Sequence, residues 1–496
     1  MKTEQHSICK AFVIGASLLA IGASSIAKGQ TAKTPPAKAQ AKSQARVGTL
    51  MLETYLQQVR TQNGQFASAA EMEQGAKSRA DEWKLLTRPN LIGQYIHSED
   101  YRESGSTALP SASRAKTYFI GLQQQFEFGM QATLKYGVVD AEAPGINTAF
   151  GQPMYTTAGP SLELKQSLWR NFLGNETEAT QEKLMAASEL TKYRSSFEQT
   201  QLLTSAEAAY WRLALAREAV AATQETYDRA VRLRDWSARR RGLELADRSD
   251  LLQADSALLN RQLELQRSLD EEKSAARNFN TFRAQAEDTV AENLLEFDGA
   301  SIDKLALPAR VQFREDTLAE EQSMRLAQAV AKEGLERNKP TVDLIGGVAF
   351  TGRDVNHEAA MNEGWPTKNP NYSVGVVLNM PLDIGTSSAV RDGYRREVAA
   401  ADVAFKQKVF QQERLWEDVV QRFQDSVARF RIATKMEASQ REKLDYERVR
   451  QGRGRTTTYQ VILFEQDFAN AALSRIQAQA EVLNAYAQLK TFRGEQ

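Results

Sequence analysis

Between Glu176 and Arg241 the chain contains neither proline nor glycine, and the same is true from Tyr394 to Gln451. In the first run Leu190, Tyr193 and Phe197, and again Tyr210, Leu213, Val220, Tyr227 and Val231, fall at three-, four- and seven-residue steps, the period of a helix with an apolar seam. At 1.5 Å per residue, a run of about 65 residues is a rod of about 100 Å. A rod of that length covers little of its own seam, so other helices must cover it. Charged residues between the seam positions are expected to form solvated faces.

The segment Gly242-Leu243-Glu244-Leu245-Ala246-Asp247-Arg248-Ser249 ends the first rod, and a second periodic run follows from about Asp250 to Phe282. This predicts a long helical hairpin with its tip near 242–249. Downstream the design recurs, with a break at 452–458 and a second arm to about Phe492. In that arm Ala469, Leu473, Ile476, Ala480, Leu483 and Ala487 alternate steps of four and three, a seam for helix packing. Gly242 aligns with Gly452 and Asp250 with Gln460, both at an offset of 210, while Gly174 and Gly385 differ by 211. One offset from separate landmarks reads as an internal duplication, with a first repeat over 48–290, a linker or equatorial segment over 291–316, and a second repeat over 317–496.

Each rod is preceded by segments of period two. Tyr372, Val374, Val376, Leu378 and Met380 alternate with Ser373, Gly375, Val377 and Asn379; Val342, Leu344, Gly346, Val348 and Phe350 share one face. Leu162, Leu164, Gln166 and Leu168 alternate with Ser161, Glu163, Lys165 and Ser167, and Phe126 to Tyr136 alternates likewise. These are about four strands of about ten residues, in a mixed α/β chain that is mostly α. Such strands suit a transmembrane β-barrel or a soluble sandwich. A bilayer tolerates no open sheet edge, and four strands are fewer than the roughly eight of the smallest single-chain barrel. Spanning a membrane would therefore require several chains to pool their strands. The rival is a soluble periplasmic coiled-coil adaptor or structural protein.

Lys+Arg and Asp+Glu both number 63, and mean hydropathy is -0.50. That excludes a polytopic helical membrane protein and gives no electrostatic case for nucleic acid. Lys2 and Lys10 flank a polar stretch, Ala11 to Ile21 is apolar, and Ser24-Ser25-Ile26-Ala27 follows, the pattern of a signal peptide over 1–27 cleaved after Ala27. Residues 28–47 read as a low-complexity linker. The single cysteine, Cys9, precedes the apolar run, so the exported chain would carry no disulfide. Beyond the signal only His97 and His357 remain as histidines, without metal-ligand spacing, and Glu271-Glu272 point to different sides of a helix. No enzyme activity, cofactor or metal is expected.

The chain resembles the TolC-like outer-membrane efflux proteins, or outer membrane factors, over nearly its whole length from Gly48. The junctions Leu164-Lys165-Gln166-Ser167-Leu168-Trp169 and Asn379-Met380-Pro381-Leu382-Asp383-Ile384-Gly385 carry the resemblance. So do the tips, Gly242-Leu243 with Asp250-Leu251-Leu252-Gln253-Ala254, and Gly454-Arg455-Thr456 with Tyr459-Gln460-Val461-Ile462. It implies a homotrimer with a 12-stranded barrel in outer-membrane lipid, continued through the periplasm by an α-helical barrel. Such a protein is the passive exit duct of a tripartite efflux or type I secretion system, opened at its tips by a periplasmic adaptor and an inner-membrane pump. It also implies adaptor docking at Gly242, Leu243 and Gly454. Where better-studied members carry an aspartate ring, this chain has Gln460 and Leu463. The expected gate is instead ionic, pairing Asp247 and Asp250 with Arg453 and Arg455. One departure stands out: Pro89 to Pro340 differ by 251 but Gly159 to Pro370 by 211. The excess holds a hairpin, Phe119 to Tyr136, that could be barrel wall, extracellular loop or soluble flap.

Overall fold

The structure, a computed structural model of one chain, describes residues 48–101, 113–143, 153–244, 247–295, 299–365 and 370–493. The expected signal peptide, its cleavage site and the linker lie outside the described residues. In chain order the first half holds β1 (Thr49–Leu50), α1 (Leu52–Gln62), α2 (Gly64–Arg79), β2 (Asn90–Asp100), β3 (Ser113–Gln125), β4 (Met130–Glu142), β5 (Met154–Ser167), α3 (Asn175–Gly242) and α4 (Arg248–Phe282). The second holds β6 (Asn293–Leu294), α5 (Glu315–Arg337), β7 (Thr341–Phe350), β8 (Gly352–Asp354), α6 (His357–Gly364), β9 (Pro370–Asn379), α7 (Ile384–Gly452) and α8 (Thr458–Lys490).

The two rods set the dimensions. α3 has 68 residues and α7 has 69, each about 100 Å long; their return arms, α4 and α8, have 35 and 33. α7 begins ten residues before the expected Tyr394. Asp383 caps it, accepting from the Thr386 amide at 2.9 Å and the Thr386 hydroxyl at 2.6 Å. The glycines inside its first turns cost only about 1 kcal/mol each. At the second tip Gly454 takes a left-handed φ of 68°, and the Gln460 amide donates to the Thr457 hydroxyl.

Two cores grip the rods near mid-length. α1 lies against α3 and α4, where the Tyr55 and Phe279 rings stack at 4.1 Å and the Tyr55 hydroxyl donates to the Phe279 carbonyl at 3.2 Å. Burial pushes the Tyr55 phenol well above its ordinary pKa. The Tyr210 hydroxyl donates to the Leu50 carbonyl at 2.7 Å and accepts from the Leu295 amide at 2.9 Å. It thus sews the parallel β1–β6 pair onto α3. In the second core Ile302 packs with Val419, Phe423 and Phe430 of α7 and Val482 and Leu489 of α8.

The sheet corrects the expectation of four strands. Among the described residues, six strands follow one antiparallel hydrogen-bonded path, β2-β3-β4-β5-β7-β9, with the short β8 also paired to β5. The hairpin left unplaced by the sequence is β3 and β4, in the interior of the path. β2 and β3 hide from a period-two search because apolar residues are adjacent in them, Leu91-Ile92 and Tyr118-Phe119-Ile120. Phe126 and Phe128 lie in the turn between β3 and β4 rather than in a strand, their rings 5.5 Å apart.

Candidate functional site

Register decides what the sheet presents. Directly paired residues project to the same side, so the pairs Leu91↔Leu122, Leu122↔Leu134, Leu134↔Leu162, Leu162↔Val348 and Val348↔Tyr372 form one apolar row across all six strands. It is open to the outside, with Leu91 72% and Tyr372 74% exposed, and Val374 next to it on the same face 83% exposed. The opposite face carries Gln94, Gln123, Thr133, Lys135, Ser161, Glu163, Lys165 and Asp343, where Lys165 pairs with Asp343 at 2.8 Å. That polar face is the crowded one. A Cβ added at Gly121 would lie 2.7 Å from the Lys135 Cβ and one at Gly347 2.7 Å from the Ser373 Oγ, whereas Gly346 on the apolar face has open space.

The strand-to-helix elbow after β5 is tightly built. Asn171, Leu173 and Gly174 all have left-handed φ, at 57°, 52° and 85°. Asn171 Oδ1 accepts from the Glu176 and Thr177 amides at 3.0 Å each, which caps α3. Arg170 forks onto Glu176 at 2.7 and 2.6 Å. The β3–β4 turn is pressed against this elbow: a Cβ at Gly174 would fall 1.6 Å from the Glu127 carbonyl oxygen.

The structure places the expected tip residues at the far end of the rods. Gly242 ends α3 with open space around it, Leu243 is exposed, and Gly454 turns the second tip, also in the open. Asp247 precedes α4 without a side-chain capping bond, and Asp250 sits in its first turn. Among the described residues no ion pair within the chain joins either aspartate to Arg453 or Arg455. Instead Arg450 donates to the Arg455 carbonyl at 3.1 Å and pairs with Glu447 at 3.1 Å. Gln460 lies in the first turn of α8, and Leu463 is partly exposed. Arg240 stacks over Trp236 at 4.8 Å. Arg239 lines a cavity of about 370 Å³ together with Arg229, Arg232 and Arg448.

Charges read as solvated faces are in part buried, and they hold the two halves together. Glu465 of α8 pairs with Arg229 of α3 at 3.0 Å and also with Arg448 of α7. Arg229 is only 7% exposed. Ten residues along α8, Arg475 pairs at 2.5 Å with both Glu218 of α3 and Glu437 of α7. One triad is Arg-Glu-Arg and the next Glu-Arg-Glu. A single-helix period cannot reveal them, because each joins α3 of the first half to both arms of the second hairpin.

At the sheet end away from the rods, His357 heads α6. Its Nδ1 lies 3.1 Å from Asp140 Oδ1 and its Nε2 3.0 Å from the Tyr118 hydroxyl. The Tyr136 hydroxyl donates to the Met361 carbonyl at 3.4 Å. The short helix is thereby tied to β3 and β4.

No family model matches the sequence, and no curated protein does. Solved structures match with high probability. CusC shares 14% identity at a TM-score of 0.67, covering 90% of this chain and 92% of its own; that work describes transmembrane channel formation. The outer membrane protein VceC of Vibrio cholerae gives 14% and 0.66, covering 89% and 96%. The open-state outer membrane channel MtrE of Neisseria gonorrhoeae gives 14% and 0.62, covering 91% and 93%. The chain has the outer-membrane efflux-channel fold. At these identities the likeness rests on the order of strands, rods and tips in the channel fold, not on side chains. Among the described residues no helix is long and apolar enough to cross a membrane.

Proposed function

We propose that the protein is an outer-membrane channel-tunnel, the passive exit duct of a tripartite efflux or type I secretion system. The observation that carries this is the uninterrupted apolar row across six strands, exposed at every position but the half-buried Val348, with rods of about 100 Å leaving one end of the sheet. A soluble module would bury that row against a second layer, since large exposed apolar patches are rare on soluble monomers; a bilayer covers it without one. In this reading the chain is exported by the 1–27 signal and assembles as a homotrimer. The repeats over 48–290 and 317–496 supply the tunnel arms, and a periplasmic adaptor docks at Gly242, Leu243 and Gly454 to couple an inner-membrane pump.

The gate belongs to the same proposal. Since, among the described residues, no ion pair joins Asp247 or Asp250 to Arg453 or Arg455 within one protomer, their pairing would be made between neighbouring protomers, closing a ring at Gln460 and Leu463. Each exposed pair contributes only ~0–1 kcal/mol, but three-fold symmetry repeats it. The deciding experiment is the native mass and membrane fraction of the mature protein. A detergent-dependent trimer from outer membranes is expected. A water-soluble monomer or dimer in the periplasm would discard the duct in favour of a soluble adaptor.

A further inference from the structure

The resemblance implies twelve strands in the shared barrel, four from each chain, but this chain brings six. We propose that the inserted β3–β4 hairpin is barrel wall, and that β2 of one protomer pairs edge to edge with β9 of the next, closing a wall of eighteen strands. The inference rests on the outer-membrane trimer reading and changes what that trimer encloses.

Three features of the sheet carry it. First, β3 and β4 are not appended at an edge. They lie between β2 and β5 with full registers of 11 to 13 residue pairs on each side, so the wall cannot omit them without breaking both ladders. Second, Ile120, Leu122 and Leu134 of the hairpin continue the apolar face of the other four strands, and all three are exposed. A flap or a surface loop has no reason to keep that face in register. Third, the strands of the path have 10 to 14 residues, enough for the 9–11 or so that a tilted span requires.

The partner surface follows from the same topology. An even number of antiparallel strands leaves β2 and β9 running in opposite directions at the two edges. β2 of one copy can therefore continue β9 of another in the antiparallel sense, with the polar and apolar faces matched. Every residue of β9 and nearly all of β2 is exposed. Unpaired strand edges are not tolerated in a bilayer. The occupant of each edge is thus a second copy of this chain, and the pore does not exist until the third copy closes it. The open side continues below the sheet, because α7 follows β9 and exposes Ile384, Val390, Val403 and Phe410 along the half of the helix nearer the sheet.

Geometry agrees. With strands about 4.8 Å apart and tilted about 40°, eighteen strands make a backbone cylinder about 36 Å across, against about 24 Å for twelve. At each level of the tunnel a protomer supplies four helices, α2, α3, α5 and α7 above and α3, α4, α7 and α8 below. Twelve helices spaced about 8–10 Å apart form a ring about 30–38 Å across, the diameter of the wider wall.

Electron microscopy of the detergent-extracted native oligomer counts the strands directly. Eighteen is expected. A trimer with twelve wall strands and the 113–142 hairpin outside would overturn the proposal and leave the duct intact, whereas a water-soluble monomer would remove both. Cysteine pairs identify the edges in a Cys9→Ser background. Gln94→Cys combined in turn with Ser373→Cys, Gly375→Cys or Val377→Cys should oxidise to a covalent trimer in at least one register. Thr133→Cys on β4 with the same partners should give none. Cross-linking of the β4 pairs in place of the β2 pairs would show that β4 forms the edge and refute the eighteen-stranded wall.

Discussion

The β5–α3 and β9–α7 units have rods of almost equal length but opposite surroundings. α3 is the spine of the protomer: α2, α4, α5 and α8 all pack on it, and its elbow is locked by three left-handed residues and the β3–β4 turn. α7 is its margin. It packs mainly on α5 and α8, and its elbow, Met380-Pro381-Leu382-Asp383, is exposed. Helices alike in period and length thus take different positions because of what joins them to the sheet and which neighbours the topology supplies. The spine is finished within one chain; in the proposed trimer the margin is finished by another.

The comparison can be broken first where the two units are tied. Replacing Glu465 by Ala removes the buried partner that Arg229 shares with Arg448 and leaves it only the exposed Glu225 of its own helix; breaking a buried pair costs about 3–5 kcal/mol, and the remaining pair keeps the loss toward the lower end. Hydrogen exchange should show faster opening of 225–235 and 444–470, with the sheet unchanged. If α7 and β9 are truly marginal, their exposed face must meet lipid or another copy. Val374→Arg should therefore cost about 2–4 kcal/mol at mid-bilayer and deplete the outer-membrane fraction, while Ser373→Arg on the polar face should leave it at the wild-type level.

The elbows sharpen the contrast. Gly174→Ala should cost at least about 2 kcal/mol, because an L-residue in the left-handed region costs ~1–2 kcal/mol and the Glu127 carbonyl must also move. Gly385→Ala, inside an unstrained helix, should stabilise by up to about 1 kcal/mol; equal melting shifts for the two would dissolve the distinction between locked and open elbows.

Acid tests how α7 is held. Burial raises the Asp316 carboxyl, but hydrogen bonds from Arg314 and from Lys408 of α7 outweigh it and hold the group below the usual carboxylate range. A lowered folded pKa adds stability that is fully present above the unfolded value near 3.9 and is lost as pH falls through the folded value. Melting in that acid window should drop for the wild type through this link. Asp316→Asn should be weaker at neutral pH and should lose that part of the slope. The smallest effect is expected from Asp250→Ala, within about 1 kcal/mol of wild-type stability. Single-channel recording should nevertheless show more frequent opening, and an unchanged closed state would remove the ionic gate.

The rods and both tips were legible because a helix writes its seam at a fixed local period, and Gly242 and Gly452 end it where the seam ends. β4, β5, β7 and β9 were legible for the same reason at period two, although β4 was placed four residues early, since Phe126 and Phe128 continue its alternation through a turn. β2 was not legible, and of β3 only the part from Phe119, as the first arm of the expected hairpin. Both of their faces carry apolar residues, and only pairing with β4 shows which face belongs to the row. The candidate tip residues could be located but not their partners. Arg229, Glu465 and Arg448 come together only when three helices from both halves meet, and that is information about packing, not about any one stretch of sequence.

The anchors of α6 connect two parts of the chain that could otherwise have separate histories. His357 rests on Tyr118 and Asp140, and Met361 receives the Tyr136 hydroxyl; all three partners belong to the inserted hairpin. Without the hairpin α6 would lose all three together and keep the bond from the Arg353 amide of β8 to the Glu363 carboxylate at 3.2 Å. The hairpin and α6 are therefore coupled structurally, and moving one into another scaffold without the other would leave Tyr118, Tyr136 and Asp140 without these partners.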